Sequence, residues 1–229
     1  MRIDIWSDLV CPWCWIGKHR LRRALALLGD AVPAVEVHWH PFLLEPEADA
    51  TPVPLREAYA AKFGGEARAT ELLAQTEATA RAEGLPMDFD RGQVRVTTLP
   101  GHRLMWLAAR EGDADAVGEA LFRAHFAEGR NLADPEVLVA VGAEGGLAEA
   151  RVRAMLDSDE GVAEVRAALG RAQAMGIRAV PTFVIDGEHG IQGAHPPEAL
   201  AEALRKLAPT HAAGSGADGG ACGPEDCHA

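Results

Sequence analysis

Two cysteines, Cys11 and Cys14, stand three positions apart where a predicted strand passes into a predicted helix. Residues 3–6 alternate as a strand does, and residues 7–10 form a short connector. Apolar residues then recur at helical spacing from Pro12 to Leu28. Proline is tolerated in the first turn of a helix, because the N–H it lacks would have no partner inside the helix. The pattern therefore predicts that Cys11 lies at the N-terminal end of the first helix.

This position favours a reactive thiol. Unpaired backbone N–H groups and the positive end of the helix dipole stabilise a thiolate, and a cysteine so placed can have a pKa between about 3.5 and 7.5 instead of about 8.5. We expect Cys11 to be the exposed sulfur that attacks, and Cys14 to be the more buried sulfur that resolves. Pro12 and Trp13 would fill the disulfide ring and influence its redox potential. Asp8 is predicted either to tune the thiols and move a proton, or to cap the helix or turn.

Two structural roles compete with redox chemistry for this pair. A disulfide between Cys11 and Cys14 would close a very short loop, so it would stabilise the fold little. A zinc site would normally need a second ligand pair at recognisable spacing. The sequence therefore favours a redox-active pair.

Composition narrows the setting and the partners. The chain has 229 residues and a formal net charge of −12, with no run rich in Lys or Arg. These features argue against nucleic acid and against an anionic membrane as partners. No stretch approaches the roughly 20 apolar residues of a membrane span. The chain begins in a strand with no basic and apolar leader, so we expect a cytoplasmic protein. In a reducing compartment, cysteines are more often redox or metal residues than structural ones.

The secondary-structure patterns and the composition of the chain predict three structural parts. Residues 1–53 and 177–208 carry strands and helices, and residues 54–176 form a block of predicted helices. Within that block, the only possible strand lies near residues 94–98. A Pro-Gly break at residues 100–101 separates this segment from a helix predicted to begin at Leu104. Residues 209–229 form a Gly-, Ser- and Ala-rich tail that we expect to be flexible.

Strand patterns return after the helical block. Residues 180–187 are rich in β-formers and end in an Asp-Gly turn, and residues 190–193 would be the second strand of a hairpin. A last helix is predicted to begin at Pro196 or Pro197 and to continue through Leu207. Removal of the helical block would leave a βαβ unit followed by a ββα unit.

This order, with Cys11 and Cys14 at the first helix and Val180-Pro181-Thr182 before the hairpin, resembles the thioredoxin fold. The long helical insertion resembles the DsbA branch of that fold. Residues 7–14, followed by Gly17, are similar to the FrnE-like cytoplasmic oxidoreductases of the DsbA family, whose close relatives include the 2-hydroxychromene-2-carboxylate isomerases. The resemblance covers residues 1–208. It implies an α/β class with a thioredoxin-like fold and a large all-helical insertion.

The resemblance also assigns roles near the hairpin. In thioredoxin-like proteins the motif cysteines face a loop with a cis proline, and the matching bond here is Val180-Pro181. A cis bond before proline costs only about 0.5–1 kcal/mol. Val180 could then pair with an extended substrate peptide. The competing interpretation of Pro181 is an ordinary proline at the start of a strand.

The tail carries a second cysteine pair, Cys222 and Cys227, on either side of a Gly-Pro turn. One interpretation is a second redox pair that exchanges with Cys11 and Cys14. Another is metal capture with neighbouring histidines. The third is a tail whose cysteines oxidise adventitiously. FrnE-like proteins with a second C-terminal pair favour the redox interpretation by resemblance.

The sequence thus predicts a cytoplasmic thiol–disulfide oxidoreductase or disulfide isomerase that works through a mixed disulfide. Its partners would be proteins that carry thiols or disulfides and a redox recycling partner. It would need no cofactor or metal besides its own disulfide, with glutathione a possible co-substrate. The alternative is a glutathione-dependent isomerase of a small aromatic substrate, although those relatives have serine where this chain has Cys11. A third hypothesis is a metal-binding or chaperone-like protein that is not an enzyme.

Overall fold

A computed structural model describes residues 1–32 and 34–208 of the chain. The tail at residues 209–229, with the predicted second pair Cys222 and Cys227, lies outside the described residues. The roles proposed for that pair therefore stay predictions.

The described residues form six strands and nine α-helices. The strands are β1 (Arg2–Ser7), β2 (Glu36–Pro41), β3 (Val53–Pro54), β4 (Val94–Arg95), β5 (Thr182–Ile185) and β6 (His189–Gln192). The helices are α1 (Pro12–Leu28), α2 (Leu55–Phe63), α3 (Glu66–Ala82), α4 (Leu99–Glu111), α5 (Ala114–Phe126), α6 (Pro135–Glu144), α7 (Glu149–Leu156), α8 (Val162–Ala174) and α9 (Pro197–Leu207). The first helix has the predicted bounds.

Four strands form one mixed sheet in the order β2-β1-β5-β6. Strand β1 runs parallel to β2 and antiparallel to β5, and β5 runs antiparallel to β6. Alternate residues of β1 face opposite sides, as strand geometry requires. Ile3 and Ile5 pack in one cluster with α1 and α9. Trp6 packs on the other side with residues of β5 and α8. Both faces of the central strand are therefore covered.

Helices α4 to α7 surround a separate apolar core. Its fully buried members come from all four helices and include Leu104, Leu121, Leu138 and Val152. Leu9, in the connector after β1, packs into the same cluster. The connector that leads to Cys11 is thus anchored in the helical block.

Two expectations for the block at residues 54–176 have different outcomes. The possible strand near residues 94–98 is confirmed, because β4 pairs antiparallel with β3 at the edge of the block. The break expected at residues 100–101 is wrong, because α4 begins at Leu99 and holds Pro100 in its first turn. There the missing N–H of proline leaves no helical hydrogen bond unmade. The domain boundaries themselves stay a prediction.

A buried ammonium group ties α1 to α5. Lys18 lies on α1, and its Nζ is 2.8 Å from a carboxylate oxygen of Glu119 and 3.0 Å from one of Asp115. The indole Nε1 of Trp15 donates to the other Glu119 oxygen at 2.9 Å. Because a buried charge is costly without a partner, these contacts fix how α1 lies against α5.

Gly17 lets α1 approach the loop before β5 closely. A Cβ at this position would lie 2.8 Å from Cγ of Pro181 and 3.4 Å from Cζ of Phe183. The ring of Pro181 is rigid and the ring of Phe183 is buried, so neither side chain can move away easily. This contact positions Pro181 relative to the helix that carries both cysteines.

We predict that Gly17→Val lowers the free energy of unfolding by about 1–3 kcal/mol, because the added side chain overpacks this contact. Gly170→Val is the matched control, since Gly170 is also helical and a Cβ there would meet nothing within 4 Å. Its effect should stay within about 0.5 kcal/mol. Urea unfolding of both variants measures the difference, and equal effects would contradict the close approach.

Candidate active site

Both motif cysteines stand at the start of α1, as the sequence predicts. Cys11 is the N-cap residue in extended conformation, and the helix begins at Pro12. The backbone N–H of Cys11 donates to the carbonyl of Asp8 at 3.1 Å, and that of Cys14 donates to the carbonyl of Cys11 at 3.0 Å. Both cysteines are free thiols. The two cysteines therefore lie about one helical turn apart at the same end of α1, where a disulfide between them is possible.

The expected exposure of Cys11 is wrong. Cys11 is 4% exposed and Cys14 is 1% exposed, and both belong to an apolar cluster with residues of α2, α3 and α5. The helical block covers the motif, which the local sequence around the cysteines could not show. Cys14 is the more buried of the two, as predicted. Cys11 instead lines a cavity that Pro12, Trp13 and Val180 also line.

The bond between Val180 and Pro181 is cis, as the resemblance implies. The Sγ of Cys11 donates a weak hydrogen bond to the carbonyl oxygen of Val180 at 3.8 Å. Thr182, which follows Pro181, begins β5. The carbonyl of Pro181 accepts a hydrogen bond from the N–H of Gly193 at 2.7 Å. The hairpin therefore holds the proline loop directly beside the first sulfur.

The environment of Cys14 disfavours its thiolate. Burial raises the pKa of the Cys14 thiol well above its usual value, and the neighbouring sulfur of Cys11 raises it further. The Ser7 hydroxyl and the backbone N–H of Asp8 lie near the Cys14 sulfur and oppose the rise in pKa. Cys14 is therefore held as a neutral thiol until it is needed.

Pro12 and Trp13 occupy the two positions between the sulfurs. Pro12 is buried in the first helical turn, whereas Trp13 is 40% exposed. Both line the cavity that contains Cys11. The indole is one of the largest exposed apolar surfaces in the described part of the chain, so it offers contact area to a partner beside the sulfur.

Asp8 is a buried carboxylate, 1% exposed, that binds two other segments. Its Oδ2 accepts from the N–H of Leu44 at 2.7 Å, and its Oδ1 accepts from the hydroxyl of Thr98 at 2.8 Å. Nε2 of His102 lies 3.4 Å from Oδ1. The side chain makes no capping bond to α1. Of the two predicted roles, the capping of this helix is therefore wrong.

A second buried imidazole lies near this carboxylate. Burial lowers the pKa of His125 to about 4, and the negative charge of Asp8 only partly opposes this effect. His125 is therefore neutral near pH 7. The charge of Asp8 is balanced by hydrogen bonds from neighbouring groups and not by a charged His125.

The thiol cavity, as we name it, has a volume of about 420 Å³ and lies between the motif, the proline loop and helices α2 and α3. Besides the motif residues, it is lined by Tyr59, Glu45, Lys62 and Arg95. Glu45 accepts from Lys62 at 3.0 Å and from Arg95 at 3.1 Å. The cavity thus has an apolar interior with one charged cluster at its side.

Sequence reasoning missed the residues of this cavity that come from the helical block. Burial raises the pKa of Tyr59 to about 12, and the sulfur of Cys11 contributes to the rise. Tyr59 is the one tyrosine of the chain, a signal that could have drawn attention to it. Thr98 and His102 carry no such signal, because their partner Asp8 is about ninety residues away.

Within residues 1–32 and 34–208, no group of three or more His, Cys, Asp or Glu side chains is placed to hold a metal ion. None of the described helices combines the length and the apolar character that a membrane span requires.

Comparison with known proteins supports the fold. A sequence model described as a DSBA-like thioredoxin domain matches residues 2–205. The uncharacterized protein YwbO of Bacillus subtilis is 28% identical over 197 residues, or 85% of this chain and 90% of YwbO. The crystal structure of a probable DsbA oxidoreductase from Streptomyces coelicolor is 35% identical, covers 100% of this chain and 99% of its own, and has a TM-score of 0.85.

A 2-hydroxychromene-2-carboxylate isomerase structure is also similar. It has 16% identity and a TM-score of 0.68, and the match covers 90% of this chain and 96% of that one. At this identity the likeness shows the fold alone. Together the comparisons confirm the predicted thioredoxin-like fold of DsbA type.

We predict that Cys14 alkylates slowly in the folded protein. In a Cys11→Ser variant with Cys222 and Cys227 also replaced by serine, iodoacetamide should modify Cys14 at pH 8 at least about tenfold more slowly than in the urea-unfolded control, because each unit of raised pKa removes about nine-tenths of the thiolate. The folded rate should still climb above pH 9, where the unfolded rate levels off. Mass spectrometry follows both rates, and identical pH profiles would contradict the raised pKa.

Proposed function

Because the chain belongs to the DSBA-like thioredoxin domain family, we propose that it is a thiol–disulfide oxidoreductase that acts on proteins through Cys11 and Cys14. The finer assignment, also a proposal, is a FrnE-like cytoplasmic disulfide oxidoreductase or isomerase. One observation carries the proposal. Two free thiols lie at one helix terminus in unequal environments, and the outer one lies beside the carbonyl of Val180.

The inequality of the sulfurs suits a two-step exchange. In the proposed reductive direction, the Cys11 thiolate attacks a substrate disulfide, and one substrate sulfur leaves as a thiolate that takes up a proton. The Cys14 thiol then loses its proton and attacks the Cys11 sulfur, which releases the second substrate thiol. The substrate gains two electrons and the motif becomes a disulfide. The reverse sequence oxidises a dithiol, and a dithiol or disulfide recycling partner restores the starting state.

The proline loop supplies a place for the substrate chain. Val180 precedes β5 and lines the thiol cavity, so its backbone lies at the end of the sheet ladder. An extended substrate peptide could add to the sheet there and align its cysteine with Cys11. The exposed indole of Trp13 and the exposed ring of Phe63 provide apolar contacts at the same cavity. These features favour an unfolded polypeptide segment as the substrate.

We assign Asp8 to proton transfer during the second step. Its carboxylate lines the thiol cavity, and its backbone N–H lies close enough to the Cys14 sulfur to lower the pKa of that thiol. A thiol with a raised pKa needs a base before it can attack, and a buried carboxylate that reaches it directly or through one water can serve. The bonds from Thr98 and Leu44 hold the carboxylate in place.

A glutathione-dependent isomerase of a small aromatic substrate is the second candidate. The thiol cavity favours it, because a partly enclosed apolar space of about 420 Å³ suits a small molecule. That reaction needs one nucleophilic group and has no use for Cys14. Reduction of insulin with a thiol donor, compared with turnover of a small enone plus glutathione, separates the candidates.

We predict that Cys14→Ser traps a mixed disulfide on Cys11, because the second step then lacks its nucleophile. Incubation with a disulfide-bearing protein such as insulin should give a covalent adduct that gel electrophoresis without reductant reveals. Cys11→Ser should give no adduct at the motif, and Cys222 and Cys227 should be replaced by serine in both variants. The proposal fails if the Cys14→Ser protein forms no adduct, or if it retains insulin reduction.

We also predict that Asp8→Asn slows the resolution of the mixed disulfide by at least about tenfold at pH 7 and alters its pH profile, because the proton acceptor is lost. Stopped-flow measurement of a single turnover gives this rate. Thr98→Val is the control, since it removes one hydrogen bond to Asp8 and keeps the charge. It should cost about 1 kcal/mol of stability and change the rate less than about twofold. Equal effects of the two variants would reduce Asp8 to a structural role.

A further inference from the structure

A second cavity lies on the other side of the connector that leads to Cys11. It has a volume of about 390 Å³ and lies between the ends of β1 and β2 and helices α4, α5 and α8. Ser7 and Leu9 line this cavity, whereas Asp8 and Val10 line the thiol cavity. Successive residues of the connector therefore line opposite cavities, and the connector separates the two. We call this second space the aromatic cavity.

Five of the sixteen residues that line the aromatic cavity carry flat rings. Residues from β2, α4 and α5 contribute Trp39, His40, His102, Trp106 and Phe122. Cavities lined by aromatic side chains with a few polar groups are typical of small-molecule sites. Ring faces and edges pack best against another planar aromatic group. The lining therefore selects a flat, mainly apolar molecule.

One polar group of this lining is buried without a partner. Among the described residues, the indole Nε1 of Trp39 is buried and has no hydrogen-bond partner. The Ser7 hydroxyl lies instead near the sulfur of Cys14. A buried donor left unpaired is costly and uncommon. Because indole N–H is a donor only, the missing partner of Trp39 must be an acceptor.

The other polar groups of the lining favour an uncharged ligand. Nε2 of His102 already pairs with the carbonyl of Phe42, and Nε2 of His40 pairs with Asp4. Helix α8 contributes Glu164 and Arg171, which are exposed and of opposite charge. The lining thus offers one unpaired donor, and this charged pair adds no net charge.

We propose that the aromatic cavity is a binding site for a flat, uncharged aromatic carbonyl compound. The ring of the ligand would pack among the aromatic side chains. Its carbonyl oxygen would accept a hydrogen bond from Trp39 Nε1, and this would satisfy the buried donor. The site would be separate from the thiol cavity and would use neither cysteine.

A matched pair of probes tests the proposal on the full wild-type chain. 1-Indanone has the aromatic carbonyl, and indane has the same rings without it. The indole N–H signals in a ¹H–¹⁵N spectrum report binding, and a Trp39→Phe variant identifies the signal of Trp39. 1-Indanone should shift that signal in a saturable way with a dissociation constant of about 1 mM or tighter, as the size of the probe allows. Indane should bind about three- to tenfold more weakly, because it accepts no hydrogen bond.

Variants separate this cavity from the thiol cavity. Ala168→Leu adds bulk at a buried lining position of the aromatic cavity and should abolish the shift. Trp13→Phe changes a lining residue of the thiol cavity instead and should leave the affinity unaltered. The proposal is overturned if the Trp39 signal does not respond, if 1-indanone and indane bind equally well, or if Trp13→Phe weakens binding. The two probes are compared on the wild-type chain, so this part of the test holds even if Ala168→Leu disturbs folding.

Discussion

The buried carboxylate of Asp8 is the interaction on which the site depends. A charge removed from water is costly unless several hydrogen bonds compensate for it. Here the compensation comes from the N–H of Leu44 and from the hydroxyl of Thr98. These groups belong to the loop after β2 and to the start of α4. Their attachment to Asp8 fixes the connector, and so fixes where Cys11 stands and where the two cavities are divided.

Around this fixed connector, the two sulfurs have different environments. Cys11 faces the thiol cavity and the carbonyl of Val180, whereas Cys14 lies below it beside Ser7. The burial that raises the pKa of Cys14 comes from the helices of the insertion packed over the motif. The helical block therefore does more than extend the fold, because it makes the two thiols chemically unequal and supplies the walls of both cavities.

Local features of the chain were predictable where neighbouring residues decide the outcome. The strand, the connector and the helix from Pro12 to Leu28 follow from alternation, helical period and first-turn chemistry. The cis bond before Pro181 followed from resemblance to a family. The start of α4 was not predicted, because Pro100 suits a helix break and a first helical turn equally well by sequence alone. The choice between a break and a helical turn depends on the hydrogen bond from Thr98 to Asp8 and on the close approach of Gly101 to Leu9.

The sequence by itself determined that two thiols would share one helix end after a strand, because hydrophobic period and helix-start residues act over a few positions. Only the tertiary structure decided that Cys11 is covered, that Tyr59 stands beside it and that Asp8 is held from two distant segments. Burial and hydrogen bonding depend on which parts of the chain meet in space. Contacts that span dozens of residues leave no periodic signal in a single sequence, so they had to be read from the folded chain.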